Sequence, residues 1–349
     1  MDTSAVPILR PLRLGELLDQ AVRLYRRNFL TFVGIIAIGY LPFAILQIAA
    51  TGLSIYGLEN SAVDPFNPFT SPSYWLSIFG SLSSTVLYFI LVTGLSTAAL
   101  VNTISRNYLG QKTDILEAYR LLGSSWLKLL ATIFLFGLFA IVAIIWTIVP
   151  CVGWLSGPGL LIFLSNVVGQ IIPAVVVIEK VDGSRAISRA WDLARRRFWW
   201  LLGFSVVFYL FNTLVVTGPT ALMSYLTVTF LNQTDLAQNA QLIATVSSSL
   251  AGSFLHLLIL PIQLTAWTLV YFDLRVRTEG FDLALATLEP SNEPGADLSA
   301  LPVTISAQWL TGEDVGRFVA MTLVVGGLYA LFVGILAIIG VSLGSLGGL

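Results

Sequence analysis

Few residues in this chain are equipped for chemistry. One histidine, His256, and one cysteine, Cys151, stand in 349 residues. That pair cannot supply a Cys-based zinc or iron–sulfur site, an internal disulfide or a Ser-His-Asp set. No Gly-rich phosphate loop follows a strand pattern, and no carboxylate pair sits in a cleft-forming context. The chain reads as a non-enzyme with no catalytic residues, no metal and no cofactor.

The residues that remain fall into four groups. The first is a basic run of Arg185, Arg189, Arg195, Arg196 and Arg197 with Trp199 at its end, a pattern expected to meet anionic lipid headgroups or to fix topology. The second alternates in sign: Asp273, Arg275 and Arg277 close one long apolar stretch and Glu179 closes another. Asp273 and Arg277 are i,i+4 and pair on a helix, and Glu179 and Asp182 are candidate partners for Arg275 or another arginine. The expectation is a structural charge lattice. Third, Asn166, Gln170, His256 and Gln263 lie inside apolar stretches. Asn166 and Gln170 share one helical face, and the group is expected to pack helices by hydrogen bonds, with His256 neutral and bonded to a facing helix. A polar substrate cavity among these helices is the competing reading. Fourth, Gly326, Ala330 and Gly334 form a small-residue ridge suited to close docking on the core or on another protein.

The elements that carry these groups follow from composition. The chain is 56% hydrophobic and 11% charged, with a mean hydropathy of +0.86, against about 25% charged residues in a soluble domain. The net charge of −1 gives no bulk basicity for nucleic acid. An all-α, polytopic membrane protein is expected, with seven spans near 30–54, 75–103, 127–149, 156–178, 199–225, 243–271 and 318–343. The second and sixth exceed the required length and are expected to tilt or to project. The first apolar run is too long for a signal peptide and reads as a retained span. With the N-terminus inside, the four inner segments hold five, four, six and three Lys and Arg, the full complement of 18. The outer loops carry only Glu59, Asp64 and Asp235. This bias predicts a multi-pass protein of a prokaryotic-type inner membrane, N-terminus cytoplasmic and C-terminus outside.

The inner segments share a form. Ala21 to Phe29, Ala118 to Trp126 and Ala190 to Phe198 each run from alanine to an aromatic residue at a span's start. Upstream, Leu14, Leu17, Leu18, Ala21 and Leu24, and again Ala186, Ile187, Ala190 and Leu193, recur at helical spacing, as in helices lying along a membrane surface. Gly110, Gly183 and Gly280 follow the returning spans, where glycine permits the chain to reverse. Three copies of an interfacial helix plus a span hairpin are expected over 1–285, then a linker over 286–317 and an added helix over 318–349.

Pro11 to Asp19 with Arg26-Arg27-Asn28-Phe29, Ala186 to Leu193 with Arg197-Phe198-Trp199, and above all Tyr271 to Asp282 resemble the glycerophosphoryl diester phosphodiesterase membrane-domain family. The likeness covers roughly 8–285. Some members join this domain to a soluble phosphodiesterase barrel built on paired histidines. One histidine and no room for a barrel keep that activity out of the expectation.

The expected function is a non-catalytic integral membrane scaffold or accessory subunit. Its expected partners are membrane lipids and other integral subunits, the latter engaged through the C-terminal helix, and no nucleic acid. A transporter or permease for a small or lipidic solute is the alternative, and an enzyme acting on lipid is the weakest reading.

Overall fold

The computed structural model describes residues 11–60, 72–281 and 310–346, and among these the regular structure is helical throughout. Ten helices follow in chain order. They are α1 (Leu14–Arg27), α2 (Phe29–Asn60), α3 (Tyr74–Tyr108), α4 (Ile115–Arg120), α5 (Ser125–Trp146), α6 (Val152–Ile178), α7 (Gly183–Arg196), α8 (Phe198–Leu231), α9 (Ala240–Glu279) and α10 (Gly312–Leu346). Among the described residues six helical stretches are long and apolar enough to cross a membrane: Phe29–Leu53, α3, α5, α6, α8 and Ala237–Glu279. The chain is thus compatible with a multi-pass membrane protein. The expected seventh span lies within α10, whose side chains beyond residue 331 fall outside the described residues. Most of the expected linker does too.

Two kinds of surface divide the bundle. On α2, α5 and α8 large apolar side chains stand in the open: Leu30 is 80% exposed, Leu214 76% and Phe230 70%. Such a belt suits hydrocarbon and not water. On α3, α6 and α9 the ends nearest the basic residues are buried on every side, over Ile171–Ile178 and at each position from Leu264 to Val276. A helix apolar and enclosed all round belongs in an interior. These three ends pack against one another. The reason is length: α3 spans 35 residues and the Ala237–Glu279 stretch 43, so by helix rise they measure about 52 and 65 Å where about 30 Å crosses hydrocarbon.

That projecting core changes the reading of the surface helices. α1 buries Leu17, Ala21 and Tyr25 against α9, and α7 buries an unbroken run from Arg189 to Ala194 against α5 and α6. Their apolar faces are covered by protein, where the sequence pattern led us to expect lipid. The middle member, α4, is only 6 residues long. Gly110, Gly183 and Gly280 all take left-handed φ values, 87°, 59° and 64°, a conformation that costs an L-residue about 1–2 kcal/mol. Each turns the chain off the end of α3, α6 or α9. Within α3, α6 and α8 single π-helical segments intervene at Tyr88–Ser96, Leu164–Val168 and Thr213–Thr217.

Candidate functional site

The basic end of the bundle is knitted by ion pairs from residues distant in sequence. Glu179 leaves the end of α6 fully buried, and Arg189 reaches it from α7 with both side chains at 0% exposure. Arg189 Nε donates to Glu179 Oε1 and Oε2 at 3.2 and 3.1 Å, and Nη2 donates to Glu279 Oε2 at 2.7 Å. From α9, Tyr271 Oη donates to Glu179 Oε1 at 2.8 Å, and Arg275 Nη1 donates to that same hydroxyl at 3.1 Å. Arg275 Nε also bonds Glu279 at 3.1 Å, and its guanidinium lies 4.3 Å from the Phe281 ring centre. Two carboxylates and two guanidinium groups thus cancel inside protein, each hydrogen-bonded, as burial demands. Burial alone would push the Arg189 guanidinium down. The hydrogen bonds and charges of Glu279 and Glu179 outweigh it and hold the group above the ordinary arginine value.

A second knot sits beside the first. Asp273, buried on α9, takes Arg277 Nε at 2.9 Å and Arg197 Nη1 at 3.3 Å. It also accepts the Leu12 backbone N–H at 2.8 Å, while Arg277 Nη2 donates to the Leu12 carbonyl at 2.6 Å. The segment preceding α1, the start of α8 and the end of α9 are joined there. A third knot pairs Asp192 with Arg195 and Arg196 at 3.0 and 2.9 Å, and Arg317 of α10 donates to the Arg195 carbonyl at 3.1 Å. Asp182 pairs with Lys128 at the surface, at 3.6 Å, and not with Arg275.

This geometry takes Arg189 out of the expected headgroup set and pairs three of the other arginines. Arg189 is sealed inside and unavailable to lipid, and Arg195, Arg196 and Arg197 each hold a carboxylate. Arg185 and Trp199 remain exposed. On α1, by contrast, Arg23, Arg26 and Arg27 are all exposed, at helical neighbour spacing, and carry no ion pair among the described residues. Sequence reasoning counted them for topology and placed Arg26 and Arg27 in the family resemblance, but did not single them out for headgroups. For Arg26 and Arg27 the signal was the absence of any acid one helical turn away, whereas Asp19 stands four positions before Arg23 and Asp192 within four positions of Arg195 and Arg196.

The intramembrane polar residues are placed in two spots. Gln263 Nε2 donates to Gln170 Oε1 at 3.3 Å across α9 and α6. With Asn166 they line a cavity of about 110 Å³, completed from α8 by Ser205, Tyr209 and Asn212, which the sequence reading had not singled out. Asn166 itself is exposed and bonds its own helix at the Ile162 carbonyl, 3.0 Å. His256 stands apart, its ring 5.5 Å from that of Tyr40 on α2, a ring contact where a hydrogen bond was expected.

Of the two partners expected for the docking ridge, the core and another protein, the core does not cover Gly326 or Ala330. Gly326 and Ala330 are exposed, with nothing within 4 Å of a Cβ at Gly326, and Gly334 falls outside the described side chains. α10 docks through its first turns instead. Gly159 N–H on α6 donates to Thr322 Oγ1 at 2.8 Å, and Phe318 enters a cluster with Phe163, Trp191 and Phe198. Among the described residues no group of three or more His, Cys, Asp or Glu is arranged to hold a metal ion. What this fold and site define is an all-helical bundle of membrane-length helices locked at one end by buried charge. No family model, curated protein or solved structure matches the chain.

Proposed function

We propose that the chain is a non-catalytic integral membrane scaffold or accessory subunit, with its basic end in the cytoplasm and α10 as a seventh crossing. The carrying observation is the pair of buried knots at Glu179 and Asp273. They bind the return helices α6 and α9, the surface helix α7, the start of α8 and the chain before α1 into one block. Alternating access works by rocking one bundle against another, and a shared, neutralised charge cluster opposes that motion. The Gly110, Gly183 and Gly280 turns support reading the core as three surface-helix and hairpin units, in keeping with the family resemblance. The polar cavity at Asn166, Gln170, Gln263 and Asn212 favours the second reading, a permease for a small solute. Purification in mild detergent separates the two. Stable co-elution with other integral membrane proteins is the expected result, and a lone monomer that moves solute in liposomes overturns the scaffold reading.

The exposed arginines of α1 give this platform its lipid contact. Changing Arg23, Arg26 and Arg27 together to glutamine is expected to lower retention of phosphatidylglycerol in nanodisc exchange. Each lost cation costs about 1 kcal/mol, or roughly fivefold in apparent affinity. Arg185→Gln should cost no more than one such step. Equal retention by wild type and triple variant would remove α1 from the lipid surface.

A further inference from the structure

Between α5 and α6 the two helices splay. They touch where Phe136 meets Gly169 and again where Trp146 meets Gly153 and Ser156. Along α5 the points are 10 residues apart and along α6 they are 16, or about 15 against 24 Å of helix rise. The longer path holds Pro158 and the π segment Leu164–Val168, two features at which helices bend. Into the gap come Ile187 and Trp191 of α7 and Phe318 of α10, and they leave a crevice of about 600 Å³. That volume lies in the range of ligand pockets.

The chemistry of the lining selects the ligand. Among the described residues no ionisable side chain lines the crevice. The Ser156 hydroxyl is spent, donating to the Val152 carbonyl at 2.6 Å and accepting from Trp146 Nε1 at 3.0 Å. A polar solute would find nothing to replace its hydration, whereas an apolar chain loses nothing on entry. The mouth is continuous with the apolar belt: Phe139, Val142 and Val152, on its walls, are 39%, 64% and 53% exposed. Lipid tails are therefore the neighbouring medium.

We infer that this crevice is a binding site for one acyl chain of a membrane phospholipid, which enters sideways between α5 and α6. The inference rests on the bilayer placement of these helices and not on the scaffold reading. The occupied crevice would splice lipid into the joint where α10 meets the bundle, through Phe318 and Trp191.

The test uses the full chain in vesicles of phosphatidylethanolamine and phosphatidylglycerol, doped with a phosphatidylcholine bearing a diazirine near one acyl terminus. After irradiation, adducts are mapped by peptide mass. Phe139 and Leu160 are expected to carry on the order of tenfold more adduct than Leu214 and Phe230, which are exposed outside this crevice. Leu160→Trp, which fills the crevice, should bring Phe139 down to the level of Leu214 and leave Leu214 unchanged. Equal labelling at all four sites in the wild type overturns the proposal, as does undiminished Phe139 labelling in a well-folded Leu160→Trp protein. Labelling at Leu214 with none in the crevice also overturns it and points to a second copy or another part of this chain as occupant. Labelling at none of the four sites would reject the bilayer placement itself. If Leu160→Trp does not fold, the wild-type ratio decides alone.

Discussion

Replacing Arg189 with methionine is expected to remove about 3–5 kcal/mol of stability, the cost of stranding a buried charge. The side chain is fully enclosed and is shared by Glu179 and Glu279. Methionine fills much of its volume but offers no donor, so two carboxylates are left with one guanidinium, Arg275. The control is Arg185→Met, four positions earlier on the same helix and exposed, where a change within about 0.5 kcal/mol is expected. Unfolding in detergent, followed by circular dichroism, reads both. The double variant Arg189→Met with Glu179→Leu should regain most of the loss, because it removes both members of one pair and leaves Arg275 with Glu279. Equal stability of Arg189→Met and Arg185→Met would show that the knot holds nothing. A double variant no better than the single would assign the loss to packing and not to the stranded carboxylate.

The spans were legible because their signal is summed over some twenty residues and needs no partner. Runs such as Phe29–Leu53 and Ser125–Trp146 are apolar enough to be found from composition alone. The sign-alternating stretch from Asp273 to Glu279 was legible as a lattice because its i,i+4 partners lie on one helix. Its long-range partners were not. That Arg189, and not Arg185, turns inward depends on the meeting of α6, α7 and α9, and both arginines sit in the same basic run. The amphipathic period of α1 and α7 gave an apolar face but not what covers it. Whether lipid or protein lies beneath depends on how far α3, α6 and α9 project beyond hydrocarbon, which is a property of three distant segments. Small residues were legible only in part for a related reason: spacing marks where close approach is possible, and only the partner backbone marks where it happens. Gly326 faces open space, whereas Gly159, beside a proline and outside any four-residue ridge, meets the Phe318 backbone.

Gly159→Leu is accordingly expected to detach α10 from the bundle while leaving the other helices together. A Cβ at this position would stand 2.2 Å from the Phe318 carbonyl oxygen and 2.9 Å from its carbon. Both are backbone atoms of the facing helix, so no rotamer change relieves the clash and α10 must move as a body. With it go the Thr322 hydrogen bond, the place of Phe318 among Phe163, Trp191 and Phe198, and the Arg317 bond to the Arg195 carbonyl. Phe318 and Met321 are 2% and 1% exposed, and forcing bulk into so close a contact costs about 1–3 kcal/mol. Arg317 is the only Lys or Arg after Arg277, so trypsin reports on this joint with a single cut. Cleavage there tracks the population of the open state and should quicken on the order of a hundredfold in Gly159→Leu. Gly137→Leu, at a glycine with nothing within 4 Å, should cut at the wild-type rate. Were Gly159→Leu to misfold throughout, Phe318→Ala would ask the same question by removing contact instead of adding bulk. Wild-type cleavage rates in both variants would mean that α10 is held elsewhere. The docked helix also presents Gly326 and Ala330 outward, so a detached α10 should cost the protein its co-eluting partners if that face is where the scaffold meets them.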